Sequence, residues 1–491
     1  MRCRISRTVL AVTLAALALA GCGGDADRPL AIVVIGDPTS PFISGARLPY
    51  AAQLVRSATV EGLVGFDEQG RVVPALADRW IVTDDGASYI FRLRDGTWPD
   101  GSAITADSAR TALQQAIAGL RGTSLGQDIK VVGEIRTMAG RVIEVRLDKP
   151  FPDLLQLLAQ PELGLVKRGK GAGPMRLSRQ GDVATLTAIA PVDRGLPDEQ
   201  DWQSRVRKLR LSALPAAKAL QRYDAGEADV VLGGRIEDFP RIQLSGFSRG
   251  AIRLDPVAGL FGLAVVHADG FLSLPENREA IAMAIDRDSL MAPFNLGGWT
   301  ATSRIVTPGL EDDGGAVTER WLGLSLADRR GIAAARVSRW RAGHAAPAPL
   351  RIGLPAGPGS DLLFRRIAED LKTIGLAARQ VRDTAAADLR LVDVVARYPR
   401  PAWFLNQLNC ANARGLCNSL ADFHAGQALA EADPARRADL LAQAEAELTI
   451  SNSFIPFGVP VRWTLVGSAA SGFAPNGWNA HPLMPMAALP K

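Results

Sequence analysis

Apolar positions along the chain follow two periods, one of about two residues and one of about three to four. Residues 30–35 are a run of apolar side chains that ends in a glycine and a proline, which predicts a buried strand. Apolar and polar residues alternate over 80–93 on both sides of Asp85-Gly86, which predicts a β-hairpin. The spacing becomes helical over 106–120, where Thr105 can cap the first turn. A hairpin followed by a helix indicates a mixed α/β (α+β) fold.

Three later segments also have the spacing of helices. Residues 277–290 and 433–450 predict amphipathic helices. Residues 361–381 predict a helix that leads through a glycine towards a strand, and the apolar stretch 350–354 before it predicts another strand. Together these two segments predict a β-α-β unit. The run 341–349, rich in alanine and proline, predicts a loop between regular elements.

The first residues have the layout of a secretory signal. Three arginines precede an apolar stretch, Thr8 to Ala20, which is shorter than the roughly 20 residues that a membrane-spanning helix needs. Residues 19–22, Leu-Ala-Gly-Cys, resemble the lipobox of bacterial lipoproteins, which implies cleavage before Cys22 and acylation of its sulfur. We therefore expect a signal peptide at 1–21, a tether at 22–29 and a lipid anchor on Cys22 that holds the protein at a membrane. An ordinary signal peptide with an incidental cysteine is the alternative.

Charge excludes one class of partner. Loss of residues 1–21 removes three arginines and leaves 53 basic against 51 acidic residues. The basic residues form no cluster with interleaved aromatic residues, so no nucleic-acid partner is expected. The remaining chain is too long for one hydrophobic core and suggests about three domain-sized units. We expect these to form a monomer.

The number and spacing of the cysteines fit an exported protein. With Cys3 in the signal peptide and Cys22 acylated, only Cys410 and Cys417 remain, an even pair in a compartment that permits oxidation. We expect these two cysteines to form a disulfide. A metal site with two thiolates is the competing interpretation, but only His424 lies nearby and zinc usually takes four ligands.

Several segments match, in chain order, the sequence pattern of one protein family. The most specific stretches follow the pattern "egLv.d..g...P.LA..W...dDG..y.F.LR.g..f.DG..ltA.D" almost element by element. They are residues 61–67, 74–80, 84–94 and 98–106, with further matches at 171–175, 226–229, 277–287 and 455–457. On these residues the chain resembles the family 5 extracellular solute-binding proteins, the dipeptide, oligopeptide and nickel receptors of ABC importers. The resemblance covers essentially the whole mature chain.

The resemblance implies a periplasmic-binding-protein-like II fold, in which two lobes joined by hinge strands close over a solute like a Venus flytrap. The expected division is lobe I from 30–53 with 172–255 and 462–491, an extra domain (domain II) from 54–171, and lobe II (domain III) from 256–461. It also implies a periplasmic location, a small-molecule or peptide-like solute and an ABC permease as partner.

The segment 394–410 departs from the family pattern. In peptide-binding relatives the comparable text resembles "ADY..P..FLN", and its aspartate pairs with the amino terminus of the peptide. Here that position holds Arg397, which inverts the charge. A guanidinium can hold a carboxylate or phosphate through two hydrogen bonds, so an anionic or amine-blocked solute is expected. Arg397 and Arg400 as solvated loop residues are the alternative.

The segment 394–410 and the turn after the first strand supply further candidates for ligand contacts. The candidate ligand-binding residues are Arg397, Tyr398, Trp403, Asn406, Asp37 and Phe42. Trp403 beside two apolar residues equally fits a core position. Asp37 and Phe42 follow the first strand, where the turn in relatives often lines the site. The Cys410–Cys417 loop resembles a disulfide loop that flanks the cleft in dipeptide-binding relatives.

Enzymatic function is not expected. Gly246 to Gly250 fits the GxSxG motif of serine hydrolases. The sequence after Ser248, however, is typical of a strand, whereas a nucleophile elbow is followed by a helix. The four histidines lack metal spacing such as HExxH. We expect no catalytic residue, metal ion or cofactor. The alternatives to an importer's receptor are a non-transport lipoprotein that acts as sensor or chaperone on the same scaffold, and a hydrolase acting through Ser248.

Overall fold

The computed structural model describes residues 28–244, 249–314, 317–382 and 384–490. The predicted signal peptide, Cys22 and Ser248 lie outside these residues. No helix in the described ranges is both long enough and apolar enough to cross a membrane.

The largest sheet has seven strands and contains the predicted strand Leu30–Ile35 near its centre. Leu30–Ile35 pairs in parallel with a strand on each side, and its inward side chains are fully buried, which is why it is continuously apolar. The helix Tyr50–Thr59 covers one face with five buried apolar residues. In spatial order the strands are Met175–Gln180, Val183–Ala188, Leu209–Leu214, Leu30–Ile35, Val230–Gly234, Trp463–Val466 and Ile252–Leu254.

A second, five-stranded sheet contains the predicted β-α-β unit. Leu350–Gly353 leads through the helix Pro358–Thr373 to the parallel strand Ala378–Val381, which confirms that prediction. Every residue of the strand Gly259–Val265 is buried. In spatial order the strands are Ala378–Val381, Leu350–Gly353, Leu389–Val395, Gly259–Val265 and Phe454–Gly458.

The predicted hairpin and helix belong to a third sheet of four strands. Ala77–Val82 and Ser88–Leu93 are antiparallel, and the helix Ala106–Gly119 begins at Thr105, whose side chain and that of Ser108 form a capping box. Both predictions are confirmed. The spatial order is Ala77–Val82, Ser88–Leu93, Val142–Leu147 and Val132–Met138. Two-stranded sheets pair Val64–Phe66 with Val72–Pro74 and Val166–Lys167 with Lys170–Gly171.

The other helices depart from the predictions mainly at their ends. The predicted helix over 277–290 is two helices, because Ile285 adopts an extended conformation after Ala284. The predicted loop at 341–349 begins only after Gly343, where a long helix ends. The remaining helices are Ser124–Asp128, Leu154–Leu158, Ala216–Asp224, Phe239–Leu244, Pro275–Ala284, Arg287–Leu290, Leu326–Gly343, Pro401–Gln407, Ser419–Ala430, Pro434–Ser451 and Leu483–Met486.

Two short crossing segments join the seven-stranded and five-stranded sheets. The chain passes between them at 255–258 and returns at 459–462. The two segments lie side by side, since the backbone N–H of Asp255 donates to the carbonyl of Arg462. The fold is therefore a mixed α/β fold with two lobes, to which the four-stranded sheet adds a third unit.

Candidate ligand-binding cleft

A cavity of about 550 Å³ lies where the three units meet, within the size range of small-molecule sites. One wall comes from the helix Tyr50–Thr59 and the segments that flank it. The opposite wall comes from residues 393–397 at the end of a strand of the five-stranded sheet, and residues 478–485 close one side.

Arg397 lines this cavity. Its side chain is about 25% exposed, and Nη2 lies 3.6 Å from Oε1 of Glu162, a buried residue of the third unit. The Nη1 group is buried and has no hydrogen-bond partner among the described residues. Arg397 is therefore not a solvated loop residue but a cation at the wall of a cavity. Arg400, by contrast, is largely buried in ion pairs, the shortest of which is 2.7 Å to Asp153.

Trp403 and Gln407 also line the cavity. They lie one helical turn apart in the helix Pro401–Gln407 and are only 1% and 2% exposed. The indole Nε1 of Trp403 and the amide Nε2 of Gln407 have no hydrogen-bond partner among the described residues. Trp403 also packs edge-to-face on Phe404 at 5.0 Å, so it is a core residue at the edge of the cavity. Gln407 was not predicted, although its position four residues after Trp403 would have placed it on the same helical face.

Arg414 is a second cation that sequence reasoning missed. It lies in the loop closed by the Cys410–Cys417 disulfide, which is formed as predicted, and it lines the same cavity. The loop is pressed against the five-stranded sheet, since the Leu416 N–H donates to the Val265 carbonyl. Burial lowers the pKa of Arg414, and the charges of three nearby arginines, Arg390, Arg397 and Arg47, lower it further.

Tyr398 and Asn406 lie away from the cavity. The Tyr398 hydroxyl and the Asn406 amide both donate to Oδ1 of Asp128, at 2.9 and 2.8 Å, and Tyr398 packs edge-to-face on Phe151 at 5.4 Å. Asp128 and Phe151 belong to the third unit. These two predicted ligand residues thus join the third unit to the segment that follows the strand Leu389–Val395 of the five-stranded sheet. Burial raises the pKa of Asp128 to about 6, although the two hydrogen bonds and the charge of Arg397 lower it.

Asp37 and Phe42 do not line the cavity either. The Asp37 carboxylate accepts hydrogen bonds from the hydroxyl and backbone N–H of Thr39, at 2.6 and 2.9 Å, which lowers its pKa. Phe42 lies 3.9 Å beneath the guanidinium of Arg179 on the edge hairpin of the seven-stranded sheet. Both residues therefore serve the local structure of the first turn.

An ion-paired cluster forms the base of the cleft between the lobes. Arg462, from one crossing segment, donates to Oδ1 of Asp393 at 2.8 Å, and Arg235 lies 4.0 Å from Oδ2 of the same carboxylate. Burial lowers the pKa of Arg462. Arg235 and Arg462 flank the seven-stranded sheet while Asp393 belongs to the five-stranded one, so this cluster joins the two lobes.

The polar atoms of the cavity favour binding rather than bond chemistry. Arg397, Trp403 and Gln407 line a space that suits a small solute, and each has a buried donor without a hydrogen-bond partner among the described residues. In the described parts of the chain no group of three or more His, Cys, Asp or Glu side chains is placed to hold a metal ion.

Sequence comparison gives one family and several relatives. The sequence model of "Bacterial extracellular solute-binding proteins, family 5 Middle" matches residues 71–321. The probable deoxycholate-binding periplasmic protein YgiS of Escherichia coli is 33% identical over 135 residues, 23% of this chain and 24% of YgiS. The periplasmic murein peptide-binding protein MppA of the same species is 24% identical over 259 residues, 46% of this chain and 47% of MppA. The matched stretches thus span about a quarter to a half of these relatives.

Structure comparison covers nearly the whole chain. The structure of Burkholderia pseudomallei OppA aligns with a TM-score of 0.77 and 20% identity over 95% of this chain and 99% of that one. The structure of Escherichia coli MppA aligns with a TM-score of 0.78 and 19% identity over 95% and 99%. At these identities the likeness is one of fold.

Proposed function

Because the chain belongs to the bacterial extracellular solute-binding proteins of family 5, we propose that it is the solute-capturing receptor of an ABC importer. The observation that carries this proposal is the cavity of about 550 Å³ between the lobes, lined by polar side chains that include Arg397, Gln407 and Arg414. The solute is a small peptide-like or other small molecule. Its capture delivers it to a permease in the membrane.

Arg397 supports a solute that is anionic or has a blocked amine. A guanidinium repels an ammonium group and pairs with carboxylate or phosphate oxygens. The relatives named for deoxycholate and for murein peptides indicate that the fold accepts chemically different solutes, so the residues on the cavity wall select the solute in this chain.

We propose the division into lobe I (30–53, 172–255 and 462–491), extra domain (54–171) and lobe II (256–461) as the units that move. The seven-stranded sheet falls wholly within the first set of residues and the five-stranded sheet within the last. Closure about the segments 255–258 and 459–462 would allow a permease to distinguish the loaded receptor from the empty one.

We also propose that Cys22 carries lipid and tethers the receptor to the cell envelope on its periplasmic side. The lipobox-like text at residues 19–22 supports this assignment. Mass spectrometry of the mature amino-terminal peptide should find an acylated Cys22, and Cys22→Ala should move the protein from the membrane to the soluble fraction. An unmodified amino terminus upstream of Cys22 would contradict the anchor.

Native mass spectrometry of protein purified from its own cells tests the receptor function. We expect a bound small molecule, and its removal and return should change the fluorescence of Trp403 and Trp478, which both line the cavity. A protein that carries nothing, and that ignores peptides, organic anions and metal chelates, would not be an importer's receptor. Capture of a protein partner alone would favour a sensor or chaperone, and labelling of Ser248 by a serine-reactive probe would favour a hydrolase.

A further inference from the structure

The charges on the cavity wall are unevenly compensated. The acidic residues that line the cavity all have polar partners. Glu61 binds Arg94 at 2.6 Å, Asp67 binds Arg71 at 2.7 Å, Glu68 accepts from Gln69 at 3.1 Å, and Asp393 binds Arg462 at 2.8 Å. The side chain of Arg414, by contrast, makes no hydrogen bond or ion pair with any residue that the structure describes. Arg397 has only the distant contact with Glu162.

Arg414 is held in an environment that disfavours a cation. It is partly buried, and the charges that act on it are those of three other arginines. The guanidinium of Arg390 donates to the backbone carbonyl of Arg414, so it fixes the loop without neutralising it. Arg47 donates to the Gly122 carbonyl at 2.9 Å and leaves its charge unpaired in the same way. Such an arrangement destabilises the protein unless an anion enters the cavity.

Neutral donors accompany the two cations. Trp403 and Gln407 line the same cavity, and their Nε1 and Nε2 atoms are buried without a hydrogen-bond partner among the described residues. A buried N–H group without a partner carries an uncompensated cost of desolvation. Acceptor oxygens of a bound group would satisfy them once these side chains turn towards the cavity, and a planar oxyanion matches the fork of a guanidinium.

We propose, building on the receptor function above, that Arg414, Arg397, Trp403 and Gln407 form a subsite for an oxyanion of the solute, either a carboxylate or a phosphate. Arg414 is the specificity-determining cation, because no partner among the described residues competes with the solute for its guanidinium. The subsite is unfavourable when empty, and binding of the oxyanion relieves the repulsion between Arg414 and its neighbours.

Thermal unfolding of the full mature protein, stripped of solute by unfolding and refolding, tests this subsite. Arg414→Gln should raise the unfolding midpoint by about 1–3 °C in chloride, because it removes a repelled charge. A structural arginine would give a fall instead. Arg379→Gln, an exposed position on a strand of the same lobe outside the cavity, serves as the matched control and should leave the midpoint unchanged.

Acetate and inorganic phosphate, at the ionic strength of the chloride reference, provide the second measurement. Wild type and Arg379→Gln should both be stabilised, while Arg414→Gln should lose that response and Arg414→Lys should keep part of it. The general effect of salts on burial acts equally on all variants and cancels in the comparison. Whether acetate or phosphate stabilises more tells which oxyanion the subsite prefers. Equal responses of wild type and Arg414→Gln to both anions would overturn the proposal.

Failure here is distinguishable from failure of the receptor function. If the solute retained from cells binds Arg414→Gln within a factor of about two of wild type, the receptor function stands and the oxyanion subsite is wrong. A loss of about ten-fold or more would support the subsite. If no solute is retained and no compound closes the lobes, the receptor function fails, and the two unfolding measurements still decide whether Arg414 binds oxyanions.

Discussion

Replacement of Asp128 by asparagine should change how the stability of the protein depends on pH. The carboxylate is only 4% exposed and accepts hydrogen bonds from Tyr398 and Asn406 on Oδ1, while its Oδ2 has no hydrogen-bond partner among the described residues. An asparagine at position 128 can accept the same two hydrogen bonds without carrying a charge. The substitution therefore separates the cost of burying the charge from the contacts that the residue makes.

The magnitude follows from the pKa of this carboxyl. Burial raises it from an ordinary 3.8 to about 6, although Asn406, Tyr398 and the charge of Arg397 oppose the rise. The folded protein thus holds the proton more tightly than the unfolded chain. The contribution of Asp128 to stability is highest below about pH 4, falls as the pH rises from about 4 to about 6, and is then constant. A pKa difference of about 2 corresponds to roughly 3 kcal/mol, which Asp128→Asn would recover above pH 6.

Thermal unfolding of wild type and Asp128→Asn between about pH 4.5 and about pH 8 measures this effect. The variant should unfold several degrees higher than wild type at about pH 7, and this difference should shrink towards about pH 4.5. Asp78→Asn, on an exposed strand of the same unit, controls for the general effect of removing a carboxylate. A difference between wild type and Asp128→Asn that stays the same at every pH would refute the reasoning.

Two further substitutions have expected outcomes. Replacing Cys410 and Cys417 with serine should lower the free energy of unfolding by about 2 kcal/mol in the chain-entropy model of so short a loop. Urea denaturation measures this loss, and unchanged stability would show that the disulfide does not constrain the unfolded chain. Glu61→Gln removes the counter-charge of two arginines, buried Arg94 at 2.6 Å and the less buried Arg194, and should cost about 3–5 kcal/mol. The same denaturation measures it, with the exposed Glu134→Gln on the same unit as control.

The parts of the fold that could be predicted from the sequence are those that local patterns determine. The strand at residues 30–35 is apolar throughout because it is buried on both faces, and the hairpin around Asp85-Gly86 shows its turn and its alternation together. The helix over 277–290 was predicted as one element because its apolar spacing continues through Ile285. The break there depends on contacts with other segments, which periodicity does not report.

The cavity residues were predictable only in part. Arg397 and Trp403 were found because the family pattern marks their segment, and both line the cavity. Tyr398 and Asn406 belong to the same pattern, but their partner Asp128 lies far away in sequence and draws them into a contact between units. Sequence spacing cannot reveal such a partner.

Two other positions differ in the local sequence signal that they carry. Asp37 stands two residues before Thr39, the spacing of an Asx turn, and the structure uses its carboxylate there. Arg414 shows no signal in the sequence except its place inside the loop between two cysteines. Its importance rests on the absence of an acidic partner among the described residues, which only the packed structure reveals.

Arg397 connects the cavity with the contact between the units. Its charge lowers the pKa of Asp128 on one side and that of Arg414 on the other. An anion bound at Arg397 would therefore weaken the field that keeps Asp128 ionised, and Asp128 would take up a proton more readily while the lobes hold the solute. Because the anion raises the free energy of the ionised carboxylate and leaves that of the protonated form unchanged, an anionic solute would weaken the contact that Asp128 makes with Tyr398 and Asn406 at neutral pH. Binding in the cleft and the contact between the third unit and the segment of Tyr398 and Asn406 would thus be linked through one guanidinium.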